Sequence, residues 1–127
     1  MASSRNLWLP AFTVLSWTGL FLHNVADLPG QSILSAESGL PLLLAAALIA
    51  LWFTPLRAAA AWGMLVWAVL NTAGAVFTVL PLPVLPFDPA QTLRHYSFHF
   101  LYLLTQLPLL IASARWIKRA KARRGHR

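Results

Sequence analysis

"AAAAWGMLVWAVLNTAGAVFTVL", residues 58–80, is the stretch that decides the fold. It carries no charged side chain, and as a helix it is long enough to cross about 30 Å of hydrocarbon, which takes roughly 20 residues. Working outward, three more apolar runs of the same character appear, at 7–25, 39–55 and 95–117. The run at 39–55 has the shortest uninterrupted apolar part, and Pro55 closes it. Hydrophobic residues make up 58% of the chain and charged ones 10%, with a mean hydropathy of +0.64. That leaves too little polar surface to coat a soluble globule of 127 residues. The expectation is an all-α integral membrane protein, a four-transmembrane-helix bundle in a single domain over 1–127, with external loops at 26–38 and 81–94 and a basic tail at 118–127.

Charge gives this bundle an orientation. Arg5 precedes the first run, Arg57 lies in the tight "TPLR" turn between the second and third, and Arg115, Lys118, Arg119, Lys121, Arg123, Arg124 and Arg127 follow the fourth. The positive-inside rule places all of these in the cytoplasm and only Arg94 outside, so both termini face inward. Asp27, Glu37 and Asp88, the three acidic residues, then fall outside. Trp8, Trp52, Trp62 and Trp116 fall near the cytoplasmic ends of the four runs, as an interfacial tryptophan belt would. The first run is longer than the apolar part of a signal peptide and ends in "HNVADLPG" without a small-x-small cleavage site, so an uncleaved span is expected. The implied location is a bacterial-type plasma membrane.

The connections carry helix signals of their own. Pro29 and Gly30 mark a turn, and Ser38 ahead of Pro41 reads as a helix start. In "LPLPVLPFDPAQ", Pro81, Pro83, Pro86 and Pro89 forbid a continuing helix, while the apolar residues between them suit a loop lying on the membrane surface or over the bundle mouth. Asp88, Pro89 and Gln91 read as N-cap, first helical residue and capping-box partner of the fourth helix. Ala45, Ala46, Ala47, Ala50, the alanines at 58–61, Gly63 and Gly74 read as small-residue packing surfaces.

Against this oily background "HYSFHFLYLLTQ", residues 95–106, stands out. At about 100° per residue, Gln91, His95, His99, Tyr102, Gln106 and Ser113 share one helical face. Thr13, Ser16, His23 and Asp27 share a face of the first run, with Asn24 at its margin and Trp17 further off, and Asn71 and Thr78 share one on the third. Such faces should turn toward protein or a cavity. Hydrogen-bonded glue between helices accounts for Asn71, Thr78, Gln106 and the serines. The ionisable residues point further, because charge within a span is costly and marks function by default. His95 and His99 at i, i+4 can share a metal, and His23 and Asp27 at the same spacing can complete a His3Asp set for zinc, nickel, copper or iron. Tyr102, Gln106, Asn71 and Gln91 are the candidate ligand-binding neighbours.

Other chemistries are disfavoured. The chain has no cysteine, no glutamate in "HYSFH" to make the zinc-protease motif, no P-loop and no glycine-rich dinucleotide fingerprint. With three acids and no Glu-x-x-His, a carboxylate-bridged di-iron site is not expected either. Haem between two histidines ranks below a divalent metal, and a quinone-like ligand remains an option. No serine is set up as a nucleophile, which leans away from an enzyme. The basic tail reads as an anchor for anionic lipid headgroups rather than nucleic acid. The expected function is an outward-facing His/Asp pocket for a metal ion or small ligand. Its rivals are an accessory subunit of a larger membrane complex or homo-oligomer, and a small transporter or membrane enzyme.

Overall fold

The computed structural model describes residues 7–127. Among them lie four helices and no strand: α1 (Trp8–Asp27), α2 (Ala36–Trp52), α3 (Arg57–Phe77) and α4 (Leu93–Gly125). They run alternately up and down, and α4 packs against both α1 and α3, while α2 packs against α1 and α3. One end of the bundle, the loop end, carries the two longer connections. The other, the terminal end, carries the start of α1, the α2–α3 turn and the basic tail.

Two of the helices, α3 and α4, are long and apolar enough to cross a membrane. α2 is apolar but has 17 residues. α1 has the length, at 20 residues, but His23, Asn24 and Asp27 near its C-terminus dilute its apolar character.

Several polar side chains are buried inside the bundle while large apolar ones face outward. Thr13, Ser16, Ser38, Gln106 and Ser113 are fully buried, while Leu40, Leu43, Leu70 and Phe100 are each more than half exposed. The dry core sits at the terminal end, where Leu9, Trp52, Ala60, Ala61, Met64, Leu109 and Ile117 cluster. Trp52 belongs to that core instead of an interfacial belt. It is 1% exposed and meets Trp116 edge-on at 5.3 Å, because the short α2–α3 turn tucks the end of α2 against α4. The Arg57 guanidinium covers its ring at 5.0 Å. Trp8 and Trp62 do face outward, and Lys121 lies 5.1 Å from the Trp62 ring.

Small residues set the closest approaches. A Cβ on Gly19 would overlap the Thr105 side chain, so this glycine lets α1 and α4 nearly touch. A Cβ on Gly63 would crowd the tip of Leu48 on α2. Of the α2 alanines only Ala45 is buried; Ala46, Ala47 and Ala50 face outward.

Both helix starts at the loop end differ from the sequence expectation. α2 begins at Ala36 after Ser35, so Ser38 is a buried residue of its first turn. α4 begins at Leu93 with Thr92 as N-cap, its hydroxyl accepting from the His95 N–H at 3.2 Å. Asp88 and Pro89 stay in the loop because Gln91 is used elsewhere. Its Nε2 donates to the carbonyls of Val79 at 2.9 Å and Pro89 at 3.0 Å, and its Oε1 accepts from the Tyr96 hydroxyl. Those bonds hold the chain non-helical across the end of α3. Val84 and Phe87 in this loop are exposed. Pro108 lies inside α4, which continues past it to Gly125.

Candidate functional site

His23 and Asp27 stand one turn apart at the end of α1, and His95 and His99 one turn apart near the start of α4. The antiparallel contact of these helices brings all four together. His23 Nε2 lies 2.8 Å from His99 Nε2 and 2.9 Å from Asp27 Oδ2, and His99 Nε2 lies 3.8 Å from the same carboxylate oxygen. His95 Nδ1 approaches the other oxygen, Oδ1, at 3.4 Å. His99 is 4% exposed and the other three are 11–15% exposed at their side chains.

The far sides of the rings determine what faces inward. His99 Nδ1 is 2.9 Å from the Ala75 carbonyl, which can only accept, so this nitrogen carries the proton and Nε2 presents a lone pair. His23 Nδ1 is 3.2 Å from Asn24 Oδ1. The Asn24 amide is oriented by its own donors, since Nδ2 gives hydrogen bonds to the Glu37 carbonyl and to Ser38 Oγ, both at 3.0 Å. Asn24 Oδ1 therefore accepts from His23 Nδ1, which leaves His23 Nε2 facing His99 Nε2 and Asp27 Oδ2. In neutral imidazoles both Nε2 atoms present lone pairs beside the carboxylate oxygen, whereas a protonated His23 would donate from Nε2 into the same space. Asp27 Oδ2 is buried and has no aligned hydrogen bond among the described residues, despite its short approach to His23.

The three facing atoms need a proton or a metal ion among them. The His23, His99 and Asp27 atoms form the cluster able to hold a metal ion. Their separations of 2.8, 2.9 and 3.8 Å bracket the spacing of about 3.3 Å that bonds of roughly 2.0–2.1 Å set in a tetrahedral site. Each histidine also has the outer hydrogen bond, to a carbonyl or carboxamide, that fixes a metal-binding imidazole. His95 packs its ring on His99 at 4.6 Å and turns Nδ1 to the other Asp27 oxygen, outside the three-atom cluster, and its buried Nε2 has no partner among the described residues. The His23 and His99 rings meet at 4.3 Å between centroids, which leaves no slot for a porphyrin plane between them.

The neighbours named from the sequence divide into levels. Tyr102 stacks obliquely on His23 at 5.1 Å and donates its hydroxyl to Asn71 Oδ1, while Asn71 Nδ2 donates to the Trp67 carbonyl at 2.8 Å. Gln106 sits deeper, at the centre of a network of its own. It accepts from Ser16 Oγ and donates to the Ser16 carbonyl at 3.0 Å, and Trp67 Nε1 donates to Ser16 Oγ at 2.8 Å. Thr78 bonds its own helix, to the Gly74 carbonyl, and stays out of the cluster. Gln91 remains in the loop, exposed.

Asn24 is the residue beside the cluster that helical-wheel reading undervalued. It sits between two faces of α1 and serves both, orienting His23 and joining α2. Trp17, seven residues earlier, joins the same seam through Nε1 to the Ser38 carbonyl at 3.0 Å. The seven-residue spacing of Trp17 and Asn24 was the available signal.

Comparison with protein-family models, curated proteins and solved structures finds no match to this chain.

Proposed function

We propose that the protein is an integral membrane protein spanning the bilayer four times, both termini cytoplasmic, in a bacterial-type plasma membrane, and that it binds a divalent first-row transition metal at its outer face. The membrane reading is supported by α3 and α4, whose most apolar windows are only 33% and 28% buried. A core helix of a soluble protein would be mostly covered. The exposed leucines of α2 extend the same lipid-facing surface, and α1 completes the bundle with its polar residues turned inward.

The observation that carries the metal reading is the convergence of His23 Nε2, His99 Nε2 and Asp27 Oδ2 within 4.8 Å of one another, with both Nδ1 atoms already spent on outer partners. Two imidazoles and a carboxylate suit zinc or ferrous iron, and no thiolate is present to favour cuprous copper. The rings are packed in mutual contact, which favours an ion over an organic ligand. Convergence of all four ionisable groups within one chain favours a self-contained site over an interface with a larger complex. Transport is the weaker reading, because below the Gln106 level the bundle closes into the dry cluster of Leu9, Trp52, Met64 and Leu109.

Metal analysis of detergent-purified protein, wild type beside His23→Ala and His99→Ala, tests the site. One equivalent of metal, lost in both variants, is expected. An apo wild type that takes up neither zinc nor cobalt would leave the cluster as an imidazolium–carboxylate pair holding α1 to α4.

A further inference from the structure

A second feature lies at the opposite end of the same helix pair. Between α1 and α4 at the terminal end runs a cleft of about 350 Å³, walled by Trp8 and Phe12 on one side and by Pro108 and Ile111 on the other, with Arg115 and Arg119 at its lip. Its depth is apolar and its rim is cationic. Trp8 and Ile111 are at least half exposed, and both arginines are exposed, one turn apart on one face of α4.

Charge at this end has no internal counterpart. Every side-chain carboxylate of the chain, Asp27, Glu37 and Asp88, belongs to the loop end, whereas Arg57 and the seven basic residues of 115–127 gather here. Arg57 and Lys121 are engaged on tryptophan rings. Arg115 and Arg119 line the cleft and stay exposed. Guanidinium pairs match phosphate oxygens, and an apolar slot directly beneath them matches a hydrocarbon chain.

We infer that this cleft binds one anionic phospholipid, its phosphate between Arg115 and Arg119 and one acyl chain between Trp8 and Phe12 of α1 and Pro108 and Ile111 of α4. The inference rests on the membrane reading above and assigns a built site in place of diffuse attraction by the tail. A nucleic acid would use the guanidiniums but leave the apolar slot empty, so the cleft selects an amphiphile.

Native mass spectrometry of the detergent-purified chain, titrated with phosphatidylglycerol or phosphatidylcholine, reads the site. One phosphatidylglycerol per chain is expected, held at least about tenfold more tightly than phosphatidylcholine, as befits two basic side chains on one headgroup. Arg115→Gln/Arg119→Gln should abolish that preference, Ala112→Trp, at a residue that also lines the cleft, should fill the slot and weaken retention with all charges kept, and Lys121→Gln/Arg123→Gln/Arg124→Gln should change it less than about twofold. Equal losses in the tail variant would overturn the site in favour of general basic attraction. Equal retention of phosphatidylcholine, or full displacement of the lipid by millimolar glycerol phosphate, would overturn it too. Alkaline extraction of the chain from membranes would instead sink the membrane reading itself. Resistance to extraction without lipid preference defeats the lipid site alone.

Discussion

α1 and α4 build two buried polar layers, less than two turns apart on α1, and the layers behave differently. At the Gln106 layer every donor meets an acceptor: Trp67 gives to Ser16, Ser16 to Gln106, and Gln106 to the Ser16 and Tyr102 carbonyls. At the His23 layer both Nδ1 atoms face outward to Asn24 and Ala75, and what remains in the middle is two imidazole Nε2 atoms and a carboxylate oxygen. Burial alone therefore does not distinguish a site from glue. The layers differ in what must bridge their inner atoms: at the His23 layer either a proton or a metal ion does so, and metal uptake decides between them.

Four substitutions separate the layers. The largest effect is expected for His99→Ala, which removes a metal-facing lone pair and should lower zinc affinity by about 100-fold or more, measured by chelator competition; retention of wild-type affinity would merge the two layers into one structural class. Asn24→Leu leaves the three facing atoms in place and removes the group that fixes the His23 proton. It should cost about 10- to 100-fold in affinity, the range for outer hydrogen-bond partners. Gly19→Ala drives a methyl into Thr105 and should destabilise the bundle by about 1–3 kcal/mol in reversible unfolding, with Gly19→Ala/Thr105→Gly restoring much of the loss. Gln106→Leu should cost about 1–2 kcal/mol of stability, the scale of interhelical hydrogen bonds in membranes. Its zinc affinity should stay within about threefold of wild type, and a larger drop would show that the layers are coupled.

Much of this was legible in the sequence because helical period is a strong signal. The i, i+4 pairs His23/Asp27 and His95/His99 had to present common faces once the runs became helices, and the charge-free stretch at 58–80 left little choice of element. What escaped is set by contacts between segments. Thr92 caps α4 in place of Asp88 because Gln91 is drawn to the end of α3, a partner 12 residues away in sequence. Trp52 is core rather than belt because of how tightly one turn folds. Asn24 was visible only as a marginal member of a stripe, since its worth comes from bonding two neighbours at once. His95 shares the His99 face as the spacing requires, with its ring on His99 at 4.6 Å and its Nδ1 toward the second Asp27 oxygen.

α4 is one unbroken element of 33 residues, which at 1.5 Å per residue extends about 50 Å. On the membrane reading proposed above, a hydrocarbon layer of about 30 Å would take up little more than half of it. The surplus would emerge as a stiff post whose rotational phase is geared to the bundle. A probe or fused partner placed at its tip would be held at a fixed height and bearing, and adding a single residue before it would swing that partner by about 100° around the axis.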